Sequence, residues 1–116
     1  EDAVVVSTLA ELEARVQLKA GWLSGRYPKA TWRRFETRLT SFAELEPFQF
    51  RALPGTLLAT AIRQHQQHER PHVRSLDRLH LAGMVELDLH RLMTHDAAQA
   101  DAARLLGFEV LSPGRT

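Results

Sequence analysis

The chain of 116 residues has no cysteine. That excludes a disulfide scaffold and any zinc site built on thiolates. Lysine is nearly absent too. Only Lys19 and Lys29 are Lys, and the other 13 of the 15 basic residues are Arg. With 14 acidic residues the formal net charge is +1, so the arithmetic is not that of a strongly basic nucleic-acid binder. No apolar run approaches the roughly 20 residues of a membrane span. Glu1 and Asp2 stand where a secretory signal would carry basic residues. No glycine-rich phosphate loop is present, and Gly21, Gly25 and Gly55 read as punctuation. No nucleophile elbow supports a Ser-His-Asp triad. These absences point to a cytoplasmic globular protein, and the length suits one domain.

What is present is an alternation of short apolar segments and helices. Ala3 to Val6 reads as a buried strand, followed by a helix over about Leu9 to Ala20 capped by Ser7 or Thr8. A second helix is expected from near Thr31, with Trp32, Phe35, Leu39 and Phe42 at helical spacing. Pro47 to Leu53 reads as a strand, Phe48 and Phe50 on one face and Gln49 and Arg51 on the other. Pro54, Gly55 and Thr56 then open a third helix, in which Leu57, Leu58, Ala61, Ile62 and His65 share a face. Ser75 is expected to cap a fourth helix, apolar on most sides and therefore central. Arg91 to Thr94 reads as a short strand. Asp96 caps a last, Ala-rich helix ending at Gly107, and Phe108 to Leu111 is a final strand. Strands alternating with helices argue for an α/β domain with a mostly parallel sheet. Ligands of such sheets sit beyond the carboxyl ends of the strands.

That rule draws attention to three acids. Glu11 follows the first strand, Asp96 follows the third, and Asp77 lies in the first turn of the central helix. Each has a plain structural reading. Glu11 can be a surface acid, Asp77 can favour the positive end of a helix, and Asp96 can be an N-cap. Brought together they would repel one another, and a hard divalent cation would remove that repulsion. Among the other candidates, His65, His68 and His72 raise a zinc reading. Pro71 interrupts the helix before His72, and a solvated, Gln-rich helix end is the default. His80 reads as a hydrogen-bonded core residue, and alternation turns His95 away from Thr94 and Asp96. Arg74 and Arg78 flank Asp77, where RNA phosphates would approach a metal. Arg33, Arg34 and Arg38 form another basic patch, with Tyr27 a weak stacking candidate.

The ordered set of segments resembles a known family. Val4-Val5-Val6-Ser7-Thr8-Leu9-Ala10-Glu11 resembles the second strand and acidic helix of PIN domains. Arg74-Ser75-Leu76-Asp77-Arg78-Leu79-His80-Leu81-Ala82 resembles the PIN segment in which an aspartate precedes a Leu-His-Leu-Ala run. Leu92-Met93-Thr94-His95-Asp96 is similar to the strand ending in Thr-x-Asp. Ala102 to Leu111 is similar to the closing helix, glycine and strand. Within the family, the VapC toxins are the subgroup resembled. The resemblance implies a three-layer α/β/α sandwich with a mostly parallel sheet and a metal-dependent endoribonuclease. Glu11, Asp77 and Asp96 would be catalytic, binding Mg²⁺ or Mn²⁺, with Thr94 in support and Arg74 and Arg78 on the RNA. It further implies structured RNA as substrate, an antitoxin partner and a homodimer. The family's first strand and its aspartate have no counterpart here. The expectation is therefore a single PIN-like domain over 1–116, truncated at its N-terminus. A segment preceding Glu1, a strand supplied by another chain and a degenerate domain each account for this. The alternative function is a catalytically degenerate module that binds protein or RNA.

Overall fold

A computed structural model describes residues 3–112. The chain divides into two compact units, Glu1–Ala52 and Leu53–Thr116. Both mix helices with a pair of short parallel strands.

In the first unit, β1 (Val4–Ser7) leads directly into α1 (Thr8–Leu23). The Ser7 Oγ accepts from the Ala10 backbone N–H at 3.1 Å, the N-cap expected from the sequence. The helix runs past the predicted stop at Ala20 and through Gly21. That glycine is buried, and a Cβ there would run into the Tyr27 ring. Gly21 is therefore a site of close approach rather than punctuation. The end of α1 is set by Gly25 at φ +81. Arg26 N–H donates to Gly21 C=O at 2.9 Å and Gly25 N–H to Trp22 C=O at 3.0 Å. This is the paired closure of a Schellman motif, which places a left-handed residue just past the helix.

α2 (Lys29–Ser41) follows, then a single 3₁₀ turn and β2 (Phe48–Arg51). β1 and β2 pair in parallel, Val4 opposite Phe48 and Val6 opposite Phe50. Parallel pairing requires a long crossover, here supplied by the two helices. Phe48 and Phe50 are half-buried while Gln49 and Arg51 are exposed, as their alternation requires. Aromatic pairs hold the helices. Trp22 and Trp32 stack at 4.8 Å, Tyr27 meets Phe35 edge-on at 5.2 Å, and Phe42 stacks on Phe48 at 5.1 Å. Tyr27 also donates to the Leu18 carbonyl, so its ring and hydroxyl are both engaged in structure.

The second unit contains α3 (Leu57–Gln67), α4 (Ser75–Glu86), β3 (Arg91–Met93), α5 (Ala97–Leu105) and β4 (Glu109–Leu111). β3 and β4 pair in parallel with α5 as the crossover. α4 is the central helix. Four consecutive residues, Leu81 to Met84, are buried, which is more than a full turn and so every side of the helix. Val73, Leu81, Met84, Ala102 and Ala103 form the core, with Leu89, Leu92, Leu106, Phe108 and Val110 packed against it. α4 and α5 close by the same motif as α1, with Asp88 (φ 55) and Gly107 (φ +92) in the left-handed position.

Two expectations about this unit are corrected. The N-cap of α4 is Arg74, with no side-chain cap bond, and Ser75 is already its first helical residue. The buried stripe of α3 is Leu57, Thr60, Ala61 and Gln64, whereas Leu58, Ile62 and His65 are exposed. The helix is turned by one residue from the face that apolarity alone selects. Its polar positions are satisfied instead. Gln64 Nε2 donates to the Leu81 carbonyl at 3.2 Å, and Thr60 Oγ1 donates to Glu86 at 3.1 Å. A buried polar side chain with its partners supplied costs little, so tertiary hydrogen bonds decide the rotation.

Candidate functional site

Glu11 belongs to the first unit and lies in the first turn of α1. Its carboxylate accepts from Arg15 Nε at 3.0 Å and Nη2 at 2.9 Å, one helical turn away. Arg15 also reaches Glu36 on α2 at 2.7 Å and Thr40 at 3.2 Å. The hydrogen bond to Glu36 raises the Arg15 pKa above its ordinary value, against the opposing pull of desolvation. Glu11 is thus one end of a Glu-Arg-Glu bridge between α1 and α2.

Asp96, in the second unit, follows the carboxyl end of β3 and is the N-cap of α5. Its Oδ1 accepts from the Gln99 N–H at 2.9 Å. Thr94 completes the turn: its hydroxyl accepts from the Asp96 N–H at 3.1 Å and donates to Gln99 Oε1 at 2.7 Å. Gln99 is buried. Sequence reasoning missed it, although Asp96-x-x-Gln99 has the spacing of a capping box. Here the glutamine grips the threonine hydroxyl rather than the cap's own N–H. A carboxylate has two oxygens and about four lone-pair directions, of which the cap bond takes one.

Asp77 lies in the first turn of α4, about a quarter exposed, with the Arg74 guanidinium 4.0 Å away. Arg74 itself is largely exposed. Arg78 differs from it sharply. It is partly buried, and desolvation lowers its pKa from the ordinary guanidinium value. Its Nη1 lies 3.4 Å from Gln64 Oε1. Its Nε is buried and has no hydrogen-bond partner among the described residues. His65, His68 and His72 line one pocket with Arg78, while Arg33, Arg34 and Arg38 line a shallow depression on α2.

The structure therefore joins Asp96 with Thr94, Asp77 with Arg74, and Glu11 with Arg15. Among the described residues, no group of three or more His, Cys, Asp or Glu is placed to hold a metal ion. The donor chemistry of Asp77, Asp96 and Thr94 does fit a hard divalent cation, which takes carboxylate and hydroxyl oxygens. No helix among the described residues is long and apolar enough to cross a membrane. No family model, curated protein or solved structure matches the chain.

Proposed function

We propose that the chain is a metal-dependent endoribonuclease of the PIN-domain kind, the toxin of a type II toxin–antitoxin pair acting in the cytoplasm on structured RNA. The observation that carries this reading is the position of Asp96. It sits beyond the carboxyl end of a parallel strand and at a helix N-terminus, where α/β folds take up ligands. Thr94 fixes the same turn. Asp77, in the first turn of the central helix, supplies a second carboxylate of the same unit. Glu11 is the third acid that the family resemblance assigns, and the three-layer sandwich rests on that resemblance too. A bound Mg²⁺ or Mn²⁺ would supply Lewis acidity toward a phosphate oxygen and a water acidic enough to attack at neutral pH.

The remaining work falls to the chain's own residues. Asp77 and Asp96 would hold the cation beside the reacting phosphate, Thr94 holds the Asp96 backbone in place, and Arg74 and Arg78 bind phosphates of the RNA strand. An antitoxin would act by covering the acidic residues, and a homodimer is the assembly that accompanies this reading.

One observation favours a second reading. Arg15 already neutralises Glu11, as in a domain that keeps the fold and binds RNA or protein without cutting. A labelled structured RNA incubated with the chain and Mn²⁺ separates the two. The nuclease reading expects cleavage that EDTA stops and that Asp77→Asn and Asp96→Asn each reduce roughly 10²-fold or more, the scale of losing one transition-state contact. RNA retained but uncut by the wild-type chain selects the second reading.

A further inference from the structure

The segment joining α3 to α4 carries chemistry that the acids do not use. Its residues and the first turns of α4 line an open-sided pocket of about 460 Å³. Three imidazoles line it, from His65 on the last turns of α3 and from His68 and His72 in the loop. Two guanidinium groups, Arg70 and Arg78, stand against a single carboxylate, Glu69. Such a set is rich in donors and poor in negative charge. Neutral imidazole offers one N–H, protonated imidazole two, and each guanidinium five in a fixed fork. The spacing first suggests zinc, yet the three histidines do not form a metal-holding group. A pocket of convergent donors that does not gather its histidines around a point suits an anion with several oxygens.

Arg78 gives the pocket its specificity. Gln64, buried on α3 and bonded to the Leu81 carbonyl, stands 3.4 Å from one end of the guanidinium. That contact leaves the buried Nε without an acceptor among the described residues. Arg78 lines the pocket, and a guanidinium carries five N–H donors, so those that Gln64 does not take can serve a ligand oxygen there. Pro71 and the buried Val73 form the apolar part of the wall.

We infer that this pocket is a phosphate-binding site and that it seats a backbone phosphate of the RNA, with Arg78 as anchor and His65, His68, His72 and Arg70 as surrounding donors. The RNA half rests on the proposed function; the phosphate half stands on the geometry alone.

The test uses the full chain in EDTA, so that no metal contributes. Inorganic phosphate is titrated while the imidazole NMR signals of all six histidines are followed. The inference expects saturable shifts at His65, His68 and His72 and little change at His80, His90 and His95. Arg78→Gln should weaken phosphate about tenfold or more, the usual loss for a charge-assisted hydrogen bond. His68→Gln combined with His72→Gln, at two exposed positions, should weaken it several-fold. A short oligoribonucleotide should then displace the phosphate. Linear shifts shared by all six histidines overturn the phosphate site, as does an affinity that both variants leave unchanged. Saturable phosphate binding that the oligoribonucleotide cannot displace overturns the RNA assignment. Mn²⁺ affinity, which depends on the acids and not on this pocket, reports separately on the nuclease reading.

Discussion

The two units solve the same problem by different means. The second has an apolar core, in which Leu81, Ala82 and Ala103 are wholly buried. The first buries only Gly21 among its described residues, and Leu12, Val16 and Leu23 along α1 are more than half exposed. It is held instead by stacked rings and by Arg15 bridging Glu11 and Glu36. Burial of apolar surface is insensitive to salt and sensitive to shape, whereas exposed ion pairs are the reverse. The difference between the units is that Glu11 sits in a network of charge, whereas Asp77 and Asp96 sit on a scaffold of packing. Perturbations of the two units should therefore differ in kind.

The largest effect is expected from Leu81→Ala. Truncating a fully buried leucine should cost the second unit about 2–5 kcal/mol, read from urea unfolding and from loss of amide protection in α4 and α5. Gly21→Ala comes next. Its methyl would strike the Tyr27 ring, and the cost should be about 1–3 kcal/mol, confined to amides of α1 and α2. Equal loss of protection in both units after either change would break the distinction drawn between them.

Asp96→Ala should cost about 1 kcal/mol by removing the N-cap of α5, while Asp96→Asn, which can still cap, should cost only a few tenths. The asparagine variant therefore separates capping from chemistry: stability nearly unchanged, RNA cleavage lost. A modest and salt-dependent effect is expected of Arg15→Met. Partly exposed ion pairs contribute about 0.2–1 kcal/mol each and fade with salt. The variant should lower first-unit stability slightly at low ionic strength and not at all in molar salt. It should also release Glu11, so a rise in Mn²⁺ affinity would mark Glu11 as a metal ligand, and no change would mark it as structural.

Much of this arrangement is legible in the sequence where local chemistry decides. Ser7 and Asp96 cap because short polar side chains at helix starts have few other uses. The largely apolar pattern of α4 matches the burial of Leu81 to Met84 at the heart of the second unit. The alternation of β2 follows from the pleat. Legibility fails where a distant partner intervenes. Leu58 and Ile62 share the apolar face of α3, yet Gln64 and Thr60 take the inner face, where they bond the Leu81 carbonyl and Glu86. Gly21 looked like a helix stop because nothing local announces the ring of Tyr27. Nor does the sequence announce that Arg15 ties Glu11 to Glu36, which lies 25 residues further along the chain. The spacing of the three histidines is plain in the sequence, but their relation to Arg78 is set by the packing of α3 on α4.

The most direct measurement is Mn²⁺ binding by the intact chain, followed as the loss of the free-ion electron paramagnetic resonance signal. A shared carboxylate site predicts saturable binding that Asp77→Asn and Asp96→Asn each weaken about tenfold or more, with Asp101→Asn, on the outer side of α5, as an unaffected control. Equal affinity in all of these proteins, or no saturable binding by any of them, would contradict the account and leave these aspartates as helix-terminus residues alone.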